Sequence, residues 1–338
     1  MSRIPCRTSR AAVVLLAGAL TLAGCSGDSE SSGAQSSPAP DDTTEAAPAP
    51  KRWPFTGETT GRLPQRRAMV VKIENTDSSE PQRGLGAADL VVEQLVEGGL
   101  TRLAAFYYSS LPADVGPVRS IRGTDIGIVK PANAVLVASG GAPKTMRRVR
   151  QASIPVAGEG SPGFHRAGDR PAPYNLFANL RTLARERGKG PKPPSYLPWG
   201  PARALGAGKP AKQVTAQFSG GSATQWTWNG RAWQQADSHA AQGEGFRPDN
   251  LLALQVRQVD AGYRDPAGNP VPESVLAGKG PATLFHRGRA YQGAWMKRGP
   301  AAPLRLVTAK GEKLSVPPGH TWIELIPRSG GGGLRFGR

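Results

Sequence analysis

Both cysteines of this chain, Cys6 and Cys25, fall within its first 25 residues. Nothing after them can be tied by a disulfide, even in an oxidising compartment, so the fold has to rest on burial. The roughly 270 residues from Leu63 onward exceed one typical small domain and divide into two. The stretch GKGPKPPSYLPWGPARALGAGKPAK (188–212) is dense in Gly, Pro and Lys, which favour loop or extended chain. Its GAGKP resembles a phosphate loop, but Arg203 stands where the first glycine belongs and Pro210 replaces the metal-binding hydroxyl residue. The expected organisation is an N-terminal α/β domain at 63–195, a Gly/Pro linker at 196–212, a β-rich C-terminal domain at 213–328 and a flexible tail at 329–338.

In the first half, AMVVKIE (68–74), DLVVEQLVE (89–97), RLAAFYY (102–108) and NAVLVAS (133–139) are short runs rich in β-branched and aromatic residues and read as strands. SIRGTDIGIVKPA from Ser120 and PKTMRRVRQAS from Pro143 carry spaced apolar residues among bases and read as helices on a mixed sheet. In the second half Asn229-Gly230 lies between two Trp-bearing runs, the strongest short-range hairpin signal, and turns at Gly288 and Gly311 repeat the pattern. The fold class is therefore mixed α/β or α+β, an N-terminal mixed sheet with helices followed by a β-rich domain. Cross-strand pairing explains Trp226, Trp228 and Trp233 more simply than a sugar-stacking platform does.

Residues 1–24 read as a secretion signal, with Arg3, Arg7 and Arg10 ahead of AAVVLLAGALTLA. The apolar run is shorter than the ~20 residues needed to span a bilayer. It ends in Leu22-Ala23-Gly24-Cys25, which looks like a bacterial lipobox whose cysteine carries the lipid. Residues 25–62, with five acids and no base before Lys51, have the composition of a disordered tether. The remainder, 51–338, carries 40 bases and 20 acids, a formal charge of +20. Such a field gathers anions. Outside the membrane these are lipid headgroups or phosphate-bearing wall polymers, and no nucleic acid partner is expected there. A surface adapted for solubility accounts for the same charge.

GPVRSIRG (116–123) sets Arg119 and Arg122 three positions apart, with Pro117 and Ser120 suited to open a helix whose free N–H groups favour an anion. Asp89, Glu93 and Glu97 recur every four residues. On a helix they would lie ~6 Å apart; in the strand expected here they are ~13 Å apart and each needs its own partner. Gly98-Gly99 then turns the chain back and brings Arg102 toward these acids. Two readings stay open: the arginines neutralise Glu93 and Glu97 internally, or they converge with Arg102 on an external anion. Gly140-Gly141 and Lys144, at a second strand-to-helix junction, suit an anion as well. His165, His239, His286 and His320 are scattered, with neither HExxH nor paired Cys, so no metal and no cofactor is expected. No GxSxG elbow occurs.

These motifs resemble the YerB-like bacterial lipoproteins, a family with two consecutive domains of unknown function. The likeness spans about residues 64–327 and is carried by VKIENT (71–76), PQRGLGAADLVVEQLVEGGLTR (81–102), GPVRSIR (116–122), RPAPYNLF (170–177), GAWMKR and GHTWIELIP. It implies an anchored, extracytoplasmic two-domain protein on the bacterial cell membrane and no particular reaction. Asp89, Glu93, Glu97, Arg102, Arg119, Arg122, Arg170 and Asn175 fall on matching motifs, while the family pattern usually has His where Tyr174 stands. The leading expectation is a basic cleft in which Arg102, Arg119, Arg122, Arg170 and Asn175 hold an anionic envelope component, supported by Asp89, Glu93 and Glu97. The alternatives are an enzyme on cell-wall precursors with Glu93 or Glu97 as acid/base, and a structural partner of a membrane enzyme.

Overall fold

Lys72, Glu74, Glu93 and Gln94 interrupt strands that are otherwise apolar, and these strands are buried on both faces. The structure, a computed structural model, describes residues 50–338, so the signal segment, Cys25 and most of the expected tether lie outside the described residues. The first half supplies β1 (Met69–Asn75), β2 (Leu90–Leu95), β3 (Thr101–Tyr107), helix α1 (Thr124–Val129), β4 (Val135–Val137), helix α2 (Pro143–Gln151) and β5 (Val156–Ala157). A small hairpin, β6 (Phe164–Arg166) and β7 (Leu176–Ala178), leads into helix α3 (Leu180–Arg187). After β8 (Lys209–Pro210) come β9 (Gln213–Gln217), β10 (Ala223–Trp228), β11 (Trp233–Gln235), β12 (Asn250–Val256), and a hairpin of β13 (Gln258–Arg264) and β14 (Pro270–Ser274). The chain closes with β15 (Gly278–His286), β16 (Arg289–Lys297), β17 (Arg305–Thr308), β18 (Thr321–Pro327) and β19 (Gly333–Gly337).

One eleven-stranded sheet runs through both halves in the order β17-β16-β15-β12-β18-β2-β3-β1-β4-β5, with β8 paired to β16. The seam is the parallel pairing of β18 with β2, Thr321 to Leu90 through Leu325 to Gln94. Strands β1, β2, β4, β5, β12 and β18 all point one way. Their carboxyl ends therefore share one edge of the molecule and their amino ends the other. Helices α1 and α2 pack on one face through Ile126, Ile128 and Val149, against Val70, Leu90 and Val92. The other face carries α3 and a four-stranded sheet, β11-β10-β9-β19, whose Trp226 packs on Trp322 at 5.1 Å. Each such large apolar side chain contributes about 1.5–3 kcal/mol by leaving water.

The expected strands and both early helices are present. The hairpin at Asn229-Gly230 joins β10 to β11, with Gly230 at φ 96°, and Trp228 faces Trp233 across it at 5.5 Å. Several boundary segments differ from expectation because each buries apolar surface. The end of the tether closes a turn, Arg52 against Thr59, that sets Phe55 on Phe106 at 5.1 Å. In the linker Leu197 is buried and Trp199 pairs with Val316. The last ten residues carry β19, which pairs with β9 from Gly333 to Gly337. The helix expected from Ser120 begins at Thr124, and Pro117–Ser120 is extended, with the Arg119 amide donating to the Lys72 carbonyl at 2.9 Å.

A candidate site at the carboxyl ends of the parallel strands

In sheets with parallel strands, ligands lodge beyond the carboxyl ends. Here that edge opens into a polar cleft of about 870 Å³ lined by residues from β1, β2, β3, the Arg119–Tyr174 region and loops of the second half. The alternation of a strand decides what faces it. Lys72 and Glu74 of β1, Arg102 of β3 and Gln94 of β2 share the face under α1. Asn75 of β1, Glu93 of β2 and Glu324 of β18 lie on the opposite face, under the four-stranded sheet.

The first face holds a chain of ion pairs. Lys72 Nζ lies 2.8 Å from Asp125 Oδ1, and Gln94 Nε2 donates to the same oxygen at 2.7 Å. Asp125 Oδ2 accepts from the Arg122 amide at 2.7 Å, so the start of α1 is filled by its own carboxylate and is closed to an outside anion. The Arg122 guanidinium forks onto Glu97, with Nε donating to Oε2 at 2.7 Å and Nη2 to Oε1. Arg102 Nη2 stands 3.6 Å from Glu74 and 3.7 Å from Glu97. Arg119 meets Glu74 through Nε, and its guanidinium lies over the Tyr174 ring at 5.2 Å. Burial alone would raise the Glu97 carboxyl, but the Arg122 hydrogen bonds and the Arg102 and Arg122 charges hold it down to about 2.

On the second face a pair of carboxyl groups spans the seam. Glu93 and Glu324 are register partners, 0% and 1% exposed. Glu93 accepts from Asn75 Nδ2 at 3.0 Å, from Thr224 Oγ1 at 2.9 Å and from Trp322 Nε1 at 3.2 Å. Glu324 Oε1 accepts from Trp226 Nε1 at 2.7 Å. The two carboxyls face each other across the seam, and Glu324 Oε2 is buried without a hydrogen-bond partner. Burial raises both, and for Glu324 the Glu93 charge adds to the rise.

The cleft was expected to be basic, and its lining is not. Glu74, Asp77, Glu93, Glu97, Asp237 and Asp265 stand against Arg102, Arg119 and His239. Of the five residues expected to hold an anion, Arg102 and Arg122 are buried in ion pairs and Arg119 is 23% exposed at the cleft. Arg170 donates to the carbonyls of Ser79 and Pro81 at 3.1 Å, fixing the Thr76–Pro81 rim, and Asn175 Oδ1 accepts from Arg166 at 2.6 Å. Asp89 lies at the far end of β2, where the Tyr108 and Ser109 amides donate to it at 2.6 and 3.0 Å. Thus Asp89, Glu93 and Glu97 each have partners of their own, as an extended segment demands. Lys144 turns aside to the Gly262 carbonyl at 3.4 Å.

Sequence reading passed over Glu74, Asp125, Thr224 and Glu324. Glu74 and Glu324 carried a signal: a lone acid inside VVKIEN or TWIELIP is a carboxylate placed in a core strand. Thr224 carried none, because its role depends on the four-stranded sheet meeting β2. Asp77, Glu80 and His239 gather at the rim with donor atoms within 4.8 Å of one another, a set that could hold a cation. His239 Nδ1 lies 2.8 Å from Glu80, a residue 159 positions away, so spacing gave no hint of the cluster.

The sequence matches two families, described as Protein of unknown function (DUF3048) N-terminal domain over residues 55–191 and its C-terminal domain counterpart over residues 214–323. Over 300 residues it is 25% identical to "Putative lipoprotein YerB" of Bacillus subtilis (strain 168), covering 81% of this chain and 86% of that protein. The crystal structure of the YerB protein from Bacillus subtilis matches with a TM-score of 0.69 at 20% identity, covering 84% of this chain and 99% of the other, a likeness of fold.

Proposed function

This chain belongs to the YerB-like family of two consecutive DUF3048 domains, and on that premise we propose a lipid-anchored protein of the extracytoplasmic face of the bacterial cell membrane that binds an envelope component in its cleft. The anchor reading is supported by Leu22-Ala23-Gly24-Cys25 and by the lipoprotein name of the Bacillus relative. The observation that carries the binding reading is Arg119. Among the three clustered arginines its side chain is the one that keeps a substantial exposed surface, 23%, at the cleft. It takes the anionic group of the ligand, while Arg102 and Arg122 act from behind as buried supports. Because Asp77, Asp237 and Asp265 line the same cleft, a polyanionic chain is repelled and a component with one anionic group and several hydroxyl or amide groups fits better.

Calorimetric titration with N-acetylmuramic acid and with poly(glycerol phosphate) tests this. The expected result is binding of the singly charged sugar acid, weakened at least tenfold by Arg119→Ala, as loss of a charged hydrogen bond of about 1.5–3 kcal/mol implies. Equal affinity of parent and variant, or preference for the polymer, overturns it.

A second reading, catalysis, is favoured by the Glu93–Glu324 pair. Glu97 is clamped in its ionised form by Arg122 and is a poor acid. Glu93, which lines the cleft and is raised by burial beside Glu324, is the carboxyl able to give or take a proton.

A further inference from the structure

At the amino ends of the parallel strands, opposite the cleft, the chain enters the described fold. Trp53 packs on Tyr108 at 5.9 Å, Phe55 on Phe106, and the Thr56 carbonyl accepts from the Gly319 amide at 2.7 Å, just ahead of β18. The same end is basic. Arg66 and Arg67 immediately precede β1, and Arg67 reaches the Lys189 carbonyl through Nε and the Asn133 carbonyl through Nη1, both at 3.1 Å. That contact places the exposed Arg187, Lys189 and Lys192, which follow from the carboxyl end of α3, beside the entry point.

The partners of these bases differ in kind from those at the cleft. Arg52 donates to the Gly57 carbonyl at 2.9 Å, and Arg66 donates to the Tyr108 carbonyl while lying over its ring. Among the described residues, none of Arg52, Arg66, Arg67, Arg187, Lys189 and Lys192 forms a salt bridge. A carbonyl satisfies the hydrogen bond and leaves the charge. Of the acids nearby, Asp89 is buried on the Tyr108 and Ser109 amides and its charge acts on Arg66, Asp249 accepts from the His320 amide at 2.8 Å, and Glu58 and Glu186 are exposed, fewer than the bases they stand among.

We propose that this tether-side end is a docking surface for an anionic lipid bilayer, which holds the domain against the membrane with the acid-lined cleft turned away from it. Two observations choose a bilayer over other polyanions. The unneutralised bases surround the point where the chain from Cys25 arrives, and at most ~90 Å of chain separates Cys25 from Pro50, so an anchored protein keeps this end near headgroups. Arginine and lysine side chains near such a surface each strengthen binding by a factor of about five. The acid-lined cleft has no comparable attraction, and the exposed bases of that edge, Lys279, Arg298 and Arg305, lie away from the point where the chain enters.

The proposal rests on the anchored reading for its setting, and its test does not. The chain from residue 26 onward, which lacks the lipid-bearing cysteine, is mixed with phosphatidylglycerol or phosphatidylcholine vesicles and sedimented over a range of salt. Two charge-reversal triples are compared: Arg187→Glu, Lys189→Glu, Lys192→Glu at the tether side, and Lys279→Glu, Arg298→Glu, Arg305→Glu, exposed bases at the carboxyl-end edge of the sheet. Expected is salt-sensitive binding to phosphatidylglycerol only, reduced more than tenfold by the first triple and less than threefold by the second, with both triples melting like the parent. Equal loss in the two triples would mean that net charge alone acts and overturns the docking surface. So does absence of binding by the parent, or tighter binding to poly(glycerol phosphate) than to vesicles. Failure of the anchor itself shows separately, as Cys25→Ala staying with cell membranes like the parent through a high-salt wash that strips the salt-sensitive docking contact.

Discussion

The two ends of the parallel strands use arginine in opposite ways. At the carboxyl ends Arg102, Arg119 and Arg122 face Glu74 and Glu97, and charge is cancelled where it is buried. At the amino ends Arg52, Arg66 and Arg67 face carbonyls, so hydrogen bonds are satisfied and, apart from the Asp89 charge acting on Arg66, charge is left over. The first arrangement is scaffold around a site, and the second is a field presented to the outside. A net charge of +20 over residues 51–338 therefore says little about the cleft, because the surplus sits elsewhere.

The sharpest way to break this comparison is to remove an arginine from the cleft end. Arg122→Ala leaves Glu97 nearly buried with Arg102 as its remaining cation, 3.7 Å away. Breaking a buried pair on one side costs about 3–5 kcal/mol. Urea unfolding should show a loss toward the lower end of that range, since the pair is not fully enclosed, and no change in vesicle binding. A loss below about 1 kcal/mol would place Arg122 with the surface arginines and erase the distinction.

Much of this was readable in the sequence, and the unreadable part has a physical cause. Strands β1 to β4 were visible because runs such as AMVVKIE have no other stable use than a core strand. The extended spacing of Asp89, Glu93 and Glu97 was enough to require separate partners for each. What sequence could not give was the seam: β2 and β18 are more than two hundred residues apart, and only their pairing sets Glu93 beside Glu324. Nor could it decide between the two fates of Arg119 and Arg122, since both need the same forked cation near the same acids. The boundary segments misled for a simpler reason. Composition marks Gly- and Pro-rich stretches as loops, and it is blind to one Phe55, Leu197 or Phe336 that finds a hydrophobic surface.

Acid and alkali should separate the two carboxyl environments at the cleft end, with Asp89, raised by burial at the tether end, adding to the decline with rising pH. Glu93 and Glu324 are raised by burial from an ordinary value of 4.5, so the folded state keeps a proton that the unfolded chain has lost. Their contribution is complete below pH 4.5 and is lost as pH rises through the folded value. Glu97, held down to about 2, behaves in the opposite sense: its contribution is present above 4.5 and is lost as pH falls toward 2. Urea melts taken upward from pH 4.5 should show stability declining by up to ~1.4 kcal/mol per pH unit for each proton retained. Glu324→Gln, which keeps the shape and can donate to Glu93, should flatten that decline. An unchanged slope in this variant would mean that Glu324 retains no proton in the folded state.

The smallest effect is expected from Arg67→Ala at the tether side. Its two hydrogen bonds go to the carbonyls of Lys189 and Asn133 at a partly exposed site, where water can replace the guanidinium once it is gone. A net loss of about 1 kcal/mol or less follows from the usual worth of such bonds, and relief of repulsion among neighbouring bases works in the other direction. The same substitution removes one unneutralised charge from the proposed docking surface, so affinity for phosphatidylglycerol vesicles should fall about fivefold while the urea midpoint hardly moves. That split is the reverse of the one expected for Arg122→Ala. If Arg67→Ala instead unfolds the protein as readily as Arg122→Ala, the carbonyl-bound arginines are scaffold too, and the surplus charge at this end is a by-product of how the chain is fastened there.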